Sequence, residues 1–221
     1  MRRVLYGIVI GAVVLAVGLA GCAALLDNGV KVNLVWDGDS QSAPVPNLVV
    51  PAEVAADQVH PRAKVHTLAT TGADLPVIAS RASDVDELLA DANHNRNVLV
   101  LWAGTNDLGT GKDPATAVAE LAAYTNARRK GGWTVVVLTA LPRTYGVDVP
   151  GYEQRRLAFN EQVRQQWSEF ADHLVDVATL SEIGDDSDQL DQAFYLPDTL
   201  HLNSAGRQLV GTAVGKVLAA I

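Results

Sequence analysis

Residues 32–40 read Val-Asn-Leu-Val-Trp-Asp-Gly-Asp-Ser, an apolar run that ends in a polar segment with one glycine. The run Val32–Trp36 predicts a buried β-strand. Gly38 and Asp39 predict a sharp turn after it, which would expose the side-chain oxygen of Ser40 at the edge of a sheet. A Gly-Asp-Ser tripeptide alone indicates no more than a turn, so its meaning depends on the rest of the chain.

The other apolar runs predict a sheet of parallel strands. Further strands are expected over Ala63–Ala69, Asn97–Trp102, Thr134–Leu138 and Leu174–Val177. The run at 97–102 is apolar almost throughout, which is typical of a strand that helices cover on both faces. Strands alternate with helical segments along the chain, and this order predicts an α/β protein with right-handed crossovers.

Helices are predicted between these strands from their caps and their apolar faces. A short or broken helix is expected within residues 42–61, and Ser83 is expected to cap a helix over Asp84–Asp91. Asp113 and Pro114 should begin a further helix, which Gly131 ends. The expected buried positions of the last two helices are Phe159, Val163, Trp167 and Phe170, and then Leu209, Ala213, Val217 and Ile221.

Three short blocks follow Gly-Asp-Ser in the sequence, each at the end of a predicted strand or in a turn. They are Gly72, then Gly104-Thr105-Asn106-Asp107, then Asp198-Thr199-Leu200-His201. In open parallel sheets the active site lies beyond the carboxyl ends of the strands. All four blocks fall at that edge or in loops that can reach it, so the sequence predicts one site there.

Four blocks in this order resemble the SGNH hydrolases, the superfamily that contains the GDSL esterases and lipases. The segment Phe159-Asn160-Glu161-Gln162-Val163-Arg164 also resembles a helix of that family, so the resemblance extends from Val32 to Ile221. It implies a three-layer α/β/α, flavodoxin-like fold with a roughly five-stranded parallel sheet. It also implies a serine hydrolase that acts on ester bonds without a metal or an organic cofactor.

The resemblance assigns a role to each block. Ser40 is the expected nucleophile, His201 the base, and Asp198 the carboxylate that orients the histidine. The expected oxyanion donors are the backbone N–H groups of Ser40 and Gly72 and the side-chain amide of Asn106. Supporting roles in the turn and loop geometry are expected for Asp39, Gly104 and Asp107.

The two residues after Gly-Asp-Ser depart from the family pattern. Leucine and a small residue often follow the motif in the family, whereas this chain has Gln41 and Ser42. This departure leaves the substrate open more than the reaction class. Ser42 is also a neighbouring rival for the role of nucleophile, although it is out of register with the motif.

Two alternative motifs are weaker. Gly111-Lys112 suggests a phosphate-binding loop, but Asn106 stands where that motif needs glycine and Asp113 where it needs serine or threonine. Acidic residues at 185, 186, 188 and 191 suggest a calcium-binding site. Their spacing is not that of an EF-hand, and an exposed loop is the favoured interpretation.

The first 26 residues have the pattern of a bacterial export signal, a leader that precedes a single expected domain over 27–221. Two arginines precede an uncharged stretch over residues 4–26. Leu19-Ala20-Gly21-Cys22 resembles the lipobox, at which the signal is cut and the cysteine is lipidated. A plain membrane anchor is the alternative, because about 20 apolar residues span a bilayer. Both place the domain on the extracytoplasmic side of a bacterial cell envelope.

Composition narrows the expected partners. The chain has 221 residues, 48% hydrophobic and 19% charged, which is ordinary for a globular protein. Without the two arginines of the leader, 15 basic residues stand against 25 acidic ones, a net charge of −10. With no basic stripe, nucleic acid is not an expected partner. Cys22 is the single cysteine, which excludes an intramolecular disulfide.

The expected substrate is a small-molecule, glycan or lipid ester, and the membrane is an expected partner through the leader. An O-acyltransferase on the same site is one alternative, and a non-catalytic surface binding protein is another. Sequence alone predicts no oligomeric state.

Overall fold

In the computed structural model of this chain, residues 31–90, 92 and 95–221 are described. The leader, with Cys22 and the lipobox-like tetrapeptide, lies outside the described residues. Five strands form one sheet: β1 (Lys31–Gly38), β2 (Lys64–Thr67), β3 (Asn95–Trp102), β4 (Thr134–Leu138) and β5 (His173–Val175). Their order is β2-β1-β3-β4-β5, and all four neighbouring pairs are parallel.

Helices cover both faces of this sheet. They are α1 (Pro51–Ala56), α2 (Leu75–Ser80), α3 (Ala82–Asp86), α4 (Thr105–Gly109), α5 (Pro114–Lys130), α6 (Tyr152–Phe170) and α7 (Ser204–Leu218). Alternate residues of the central strands enter two separate cores: Leu99 and Leu101 pack with α5 and α6, whereas Val98 and Val100 pack with α1 and α7. The protein is therefore a three-layer α/β/α protein with a five-stranded parallel sheet, as predicted.

The register of β1 on β3 positions the site. Eight residue pairs run from Lys31 with Asn95 to Gly38 with Trp102, so both strands end at the same level. The segments that follow them, from Asp39 and from Ala103, therefore leave the same edge of the sheet side by side.

The helix predicted over 84–91 is only partly correct. A short helix, α3, overlaps it at residues 84–86 but begins at Ala82 and ends at Asp86, and a second short helix, α2, precedes it. Asp74 caps α2, since its carboxylate accepts a hydrogen bond from the amide of Val77 at 3.0 Å, whereas the side chain of Ser83 caps nothing. Pro76 in the first turn of α2 was the overlooked signal, because proline is favoured there.

The predicted apolar face of α7 is displaced by one position. The fully buried apolar side chains of α7 are Val210, Val214 and Leu218, while the predicted positions 209, 213, 217 and 221 are half-buried. Close packing explains the difference: a β-carbon at Gly211 would lie 2.6 Å from Cβ of Val54 in α1. The glycine face of α7, not its bulkiest face, therefore lies against α1.

No helix of residues 31–90, 92 and 95–221 is long and apolar enough to cross a membrane.

Candidate active site

The turn after β1 requires glycine at position 38. Gly38 has a φ of +151°, and a β-carbon there would lie 2.2 Å from the carbonyl oxygen of Trp102 in the neighbouring strand. Beyond it, the amides of Ser42 and Ala43 each donate to the carbonyl of Asp39 at 3.1 Å. This tight turn holds Ser40 at the carboxyl edge of the sheet, where the sequence predicted it.

The same turn separates the two candidate serines. The hydroxyl oxygen of Ser42 accepts a hydrogen bond from the indole of Trp36 at 2.9 Å, and Ser42 is 1% exposed. Ser40 lines an open cleft instead. Only Ser40 of the two can therefore meet a substrate.

Ser40, His201 and Asp198 form one hydrogen-bonded chain. Nε2 of His201 lies 2.9 Å from Oγ of Ser40, and Nδ1 of His201 lies 2.7 Å from Oδ2 of Asp198. The other carboxylate oxygen of Asp198 accepts from the amides of Leu200 and His201 at 3.0 and 2.9 Å. The turn over 198–201 thus fixes the carboxylate from two sides, and the carboxylate fixes the imidazole.

These contacts also set the charge of Asp198. Partial burial acts to raise the pKa of its carboxyl, but the hydrogen bonds from the amide and ring of His201 and from the amide of Leu200 outweigh burial. The net result is a pKa of Asp198 below its ordinary value. The group is therefore a carboxylate at neutral pH, which can hold a proton on Nδ1 of His201 and leave Nε2 free to accept one.

Two backbone donors next to the serine are unoccupied. Among the described residues, the N–H groups of Ser40 and Gly72 donate to no acceptor. Gly72 is exposed with a φ of +78°, and its neighbour Thr71 lines the same cleft as Ser40. Unoccupied N–H groups at the rim of a cleft can receive a negatively charged oxygen.

Asn106 is held against the loop that carries Gly72. Its Nδ2 donates to the carbonyl of Ala73 at 2.9 Å, and its Oδ1 lies 3.4 Å from Nη1 of Arg143. Arg143 is itself fixed by Asp148, at 2.8 and 2.5 Å, and lies over the ring of Tyr152. The amide of Asn106 is therefore oriented from both ends, with one N–H of Nδ2 still available.

Two predicted supporting residues, Asp107 and Gly104, shape the segment that carries Asn106. The carboxylate of Asp107 accepts from the amide of Leu75 at 3.0 Å and pairs with Nζ of Lys112 at 2.6 Å, so it connects the Asn106 segment to the Gly72 loop. Gly104 precedes α4 with a φ of +108°, and a β-carbon there would lie 3.0 Å from the ring of Phe159.

Asp39 is buried next to the nucleophile. Its Oδ1 accepts from the amide of Gln41 at 2.9 Å, and 1% of the residue is exposed. Burial raises the pKa of its carboxyl to about 7, against a lowering by the Gln41 amide and the Arg143 guanidinium. Asp39 therefore titrates near neutral pH, one residue from Ser40.

Comparison with known protein families shows to which family this chain belongs. The model of the GDSL-like lipase/acylhydrolase family matches residues 36–209, which include all four blocks. The chain belongs to that family. This GDSL-like hydrolase is therefore an ester-hydrolysing enzyme of the SGNH superfamily. No curated protein matches its sequence at a significant level.

Solved structures share the fold of this GDSL-like hydrolase. A member of the lipolytic G-D-S-L family from Veillonella parvula superposes with a TM-score of 0.65 at 17% identity, covering 86% of this chain and 100% of that one. A carbohydrate acetylesterase family member from Sinorhizobium meliloti gives 0.66 at 14% identity, covering 86% and 97%. The esterase EstA from Pseudoalteromonas gives 0.59 at 16% identity, covering 84% and 96%.

Two residues of the GDSL-like hydrolase site were not predicted to act in it. Nε2 of Gln41 donates to the carbonyl of Leu200 at 2.8 Å, which ties the serine turn to the histidine turn. Nη2 of Arg207 donates to the carbonyl of Ser40 at 3.1 Å. An arginine on an otherwise apolar face of α7 was a signal in the sequence, but its acceptors are carbonyls that no local pattern reveals.

Within the part of the chain that the structure describes, no three His, Cys, Asp or Glu side chains are grouped closely enough to hold a metal ion.

Proposed function

We propose that this enzyme is a membrane-anchored, extracytoplasmic serine esterase that hydrolyses carboxylic esters through Ser40, His201 and Asp198. The observation that carries the proposal is the unbroken pair of hydrogen bonds from Ser40 Oγ to His201 Nε2 and from His201 Nδ1 to Asp198. A serine hydroxyl is a weak nucleophile until a base accepts its proton, and this geometry supplies that base.

The first half of the reaction forms an acyl-enzyme. Oγ of Ser40 attacks the ester carbonyl carbon while Nε2 of His201 takes the hydroxyl proton, and Asp198 stabilises the imidazolium that results. The carbonyl oxygen becomes an oxyanion, which the N–H groups of Ser40 and Gly72 and the amide of Asn106 receive. His201 then gives its proton to the departing alcohol oxygen, and the carbon–oxygen bond to the alcohol breaks.

The second half repeats these steps with water. His201 removes a proton from a water molecule as the oxygen attacks the acyl carbon, and the same donors hold the second oxyanion. When this intermediate collapses, the acid leaves and Oγ of Ser40 regains its proton from His201. The cycle consumes one ester and one water and yields one alcohol and one acid.

Labelling with a fluorophosphonate tests the nucleophile. The intact protein should be labelled, Ser40→Ala should not, and Ser42→Ala should be labelled like the intact protein. Ser42→Ala is a matched control, since it removes a hydroxyl two residues away that is buried against Trp36. Labelling of Ser40→Ala, or none of the intact protein, would contradict the proposed mechanism.

The proposed location depends on the leader. The lipobox-like Leu19–Cys22 segment lies a few residues before Lys31, at which β1 begins. Metabolic labelling with palmitate should mark the natural chain and not Cys22→Ala. Equal labelling of the two would contradict lipidation, and a protein that stays in the membrane without any label would support the plain anchor instead.

A further inference from the structure

A small apolar cleft opens directly at the proposed nucleophile. It has a volume of about 180 Å³, and Ser40 and His201 form one side of it. The rest of the lining comes from Val45 and Leu48 in the loop after β1, from Leu196 in the loop before His201, and from Thr71 and Arg207. The cleft therefore offers apolar contacts to a group attached at Oγ of Ser40.

Arg207 fixes the loop that forms one wall of this cleft. Its guanidinium donates to the carbonyls of Ser40 and Ala43 at 3.1 and 2.9 Å, and to that of Val49 at 3.4 Å. The amide of Val49 also donates to the hydroxyl of Ser204 at 3.2 Å. The loop is thus fastened to α7 at its beginning, in its middle and at its end.

The free-energy cost of burying the Arg207 guanidinium indicates that its hydrogen bonds to the loop have a role. Arg207 is 1% exposed and pairs with no carboxylate among the described residues, and burial lowers the pKa of its guanidinium. Burying a cation without a counter-ion is strongly unfavourable, and backbone carbonyls offset this penalty only in part. An apolar residue could fill the same space without that cost, so the hydrogen bonds to the loop are the feature that the arginine adds.

The acyl half of the ester is the half that this cleft suits. After the alcohol has left, the acyl group remains bonded to Oγ of Ser40 and must lie in the space beside it. The alcohol oxygen leaves at Nε2 of His201, whose side chain is 25% exposed, so the alcohol departs where the site reaches solvent.

The volume of the cleft indicates the length of acyl chain that it can enclose. An apolar cavity of about 150 Å³ holds a six-carbon ring, so 180 Å³ holds about six or seven carbons. We propose that this cleft is an acyl pocket that makes the enzyme specific for esters of short-chain acids, from acetyl to about hexanoyl, and that Arg207 maintains its size. This inference rests on the proposed function.

Chain-length profiles of nitrophenyl esters test the pocket. For the intact enzyme, kcat/KM should fall at least about tenfold between hexanoate and laurate. Leu48→Ala removes three carbons from the wall, which makes room for about one or two further methylenes. The octanoate-to-butyrate ratio of kcat/KM should therefore rise about fourfold to sixteenfold, because each buried methylene contributes a factor of about four. Leu157→Ala is the matched control, since Leu157 is 52% exposed on α6 and should leave the ratio unchanged.

A second series varies the alcohol of acetate esters and keeps the acyl group constant. Leu48→Ala should not change relative rates in this series. If it changes them and leaves the acyl series unaltered, the cleft holds the alcohol and the proposal is wrong. Equal rates of the intact enzyme on laurate and butyrate would also overturn it. Neither result resembles failure of the esterase proposal, in which no ester is hydrolysed and no fluorophosphonate label appears.

Arg207→Lys tests the positioning role, because lysine keeps the charge but lacks the fork that reaches several carbonyls. The expected result is a higher octanoate-to-butyrate ratio, a quantity that does not depend on how much of the variant is folded. A lower Tm with an unchanged ratio would show that Arg207 only stabilises the fold. If the variant does not fold, Leu48→Ala still decides whether the pocket limits the acyl chain.

Discussion

Ser40 and His201 are 161 residues apart in the chain, and their side chains meet at 2.9 Å at the carboxyl edge of the sheet. Two further contacts hold the same segments together, from Gln41 to the carbonyl of Leu200 and from Arg207 to the carbonyl of Ser40. The serine and the histidine are therefore aligned before any substrate binds, and the following predictions depend on that alignment.

Removal of either partner should abolish most of the activity. We expect Ser40→Ala and His201→Ala each to lower kcat by several orders of magnitude, and the double variant to be little worse than either, because the two side chains act as one unit. Steady-state kinetics on nitrophenyl butyrate measures all three. Losses that add on a logarithmic scale would show that the residues act independently.

Asn106→Ala should affect the transition state more than substrate binding. Hydrogen bonds with Ala73 and Arg143 orient the amide, and removal of a single oxyanion donor lowers kcat by a factor of about 10²–10³. We therefore expect kcat to fall by that factor with little change in KM. A rise in KM at constant kcat would mean that Asn106 binds the ground state and does not serve the oxyanion.

The two glycines near the serine should differ in their tolerance of alanine. Gly38→Ala places a methyl group 2.2 Å from the carbonyl of Trp102, so the free energy of unfolding should drop by more than about 3 kcal/mol. A β-carbon at Gly72 would have no other atom within 4 Å. The free energy of unfolding of Gly72→Ala should therefore drop by only about 1–2 kcal/mol, the cost of a left-handed backbone at a residue with a β-carbon. Urea unfolding compares them, and equal losses would contradict the tight approach at Gly38.

Asp39 should make stability depend on pH in an unusual direction. Burial raises the pKa of its carboxyl to about 7, so between about pH 4 and pH 7 the folded protein keeps a proton that the unfolded chain has released. Stability contributed at this site is therefore present at low pH and is lost as the pH rises toward 7. Asp39→Asn removes the titration and can still accept the amide of Gln41.

Urea unfolding of the natural chain and Asp39→Asn across this pH range measures the effect. The stability of the natural chain relative to the variant should decrease by up to about 4 kcal/mol from pH 4 to pH 7 and then level off. The opposite contribution of Asp198, whose lowered pKa gives stability that is lost only in acid, is common to both proteins and cancels. A difference that does not vary with pH would show that Asp39 is ionised throughout.

Much of the fold could be predicted from short segments. Strand β4 begins and ends where its apolar run does, and Asp113 caps α5 through the amide of Thr116 as its sequence indicates. The order of the four blocks likewise predicted an ester-hydrolysing enzyme. These features succeed because strand burial, helix caps and turns depend on residues only a few positions apart.

The choice between Ser40 and Ser42, the face of α7 that packs on α1, and the roles of Gln41 and Arg207 were decided by the tertiary structure. Ser42 is buried, with its hydroxyl hydrogen-bonded to the indole of Trp36. The glycines of α7 face α1 because a β-carbon at Gly211 would clash with Val54. The cleft beside Ser40 likewise has walls from loops more than 140 residues apart in the sequence, Leu48 and Leu196 among them. Such features depend on the distances between packed elements, which no local pattern contains. The four sequence blocks together therefore predicted the reaction, whereas the walls of the cleft beside Ser40 became apparent only in the folded structure.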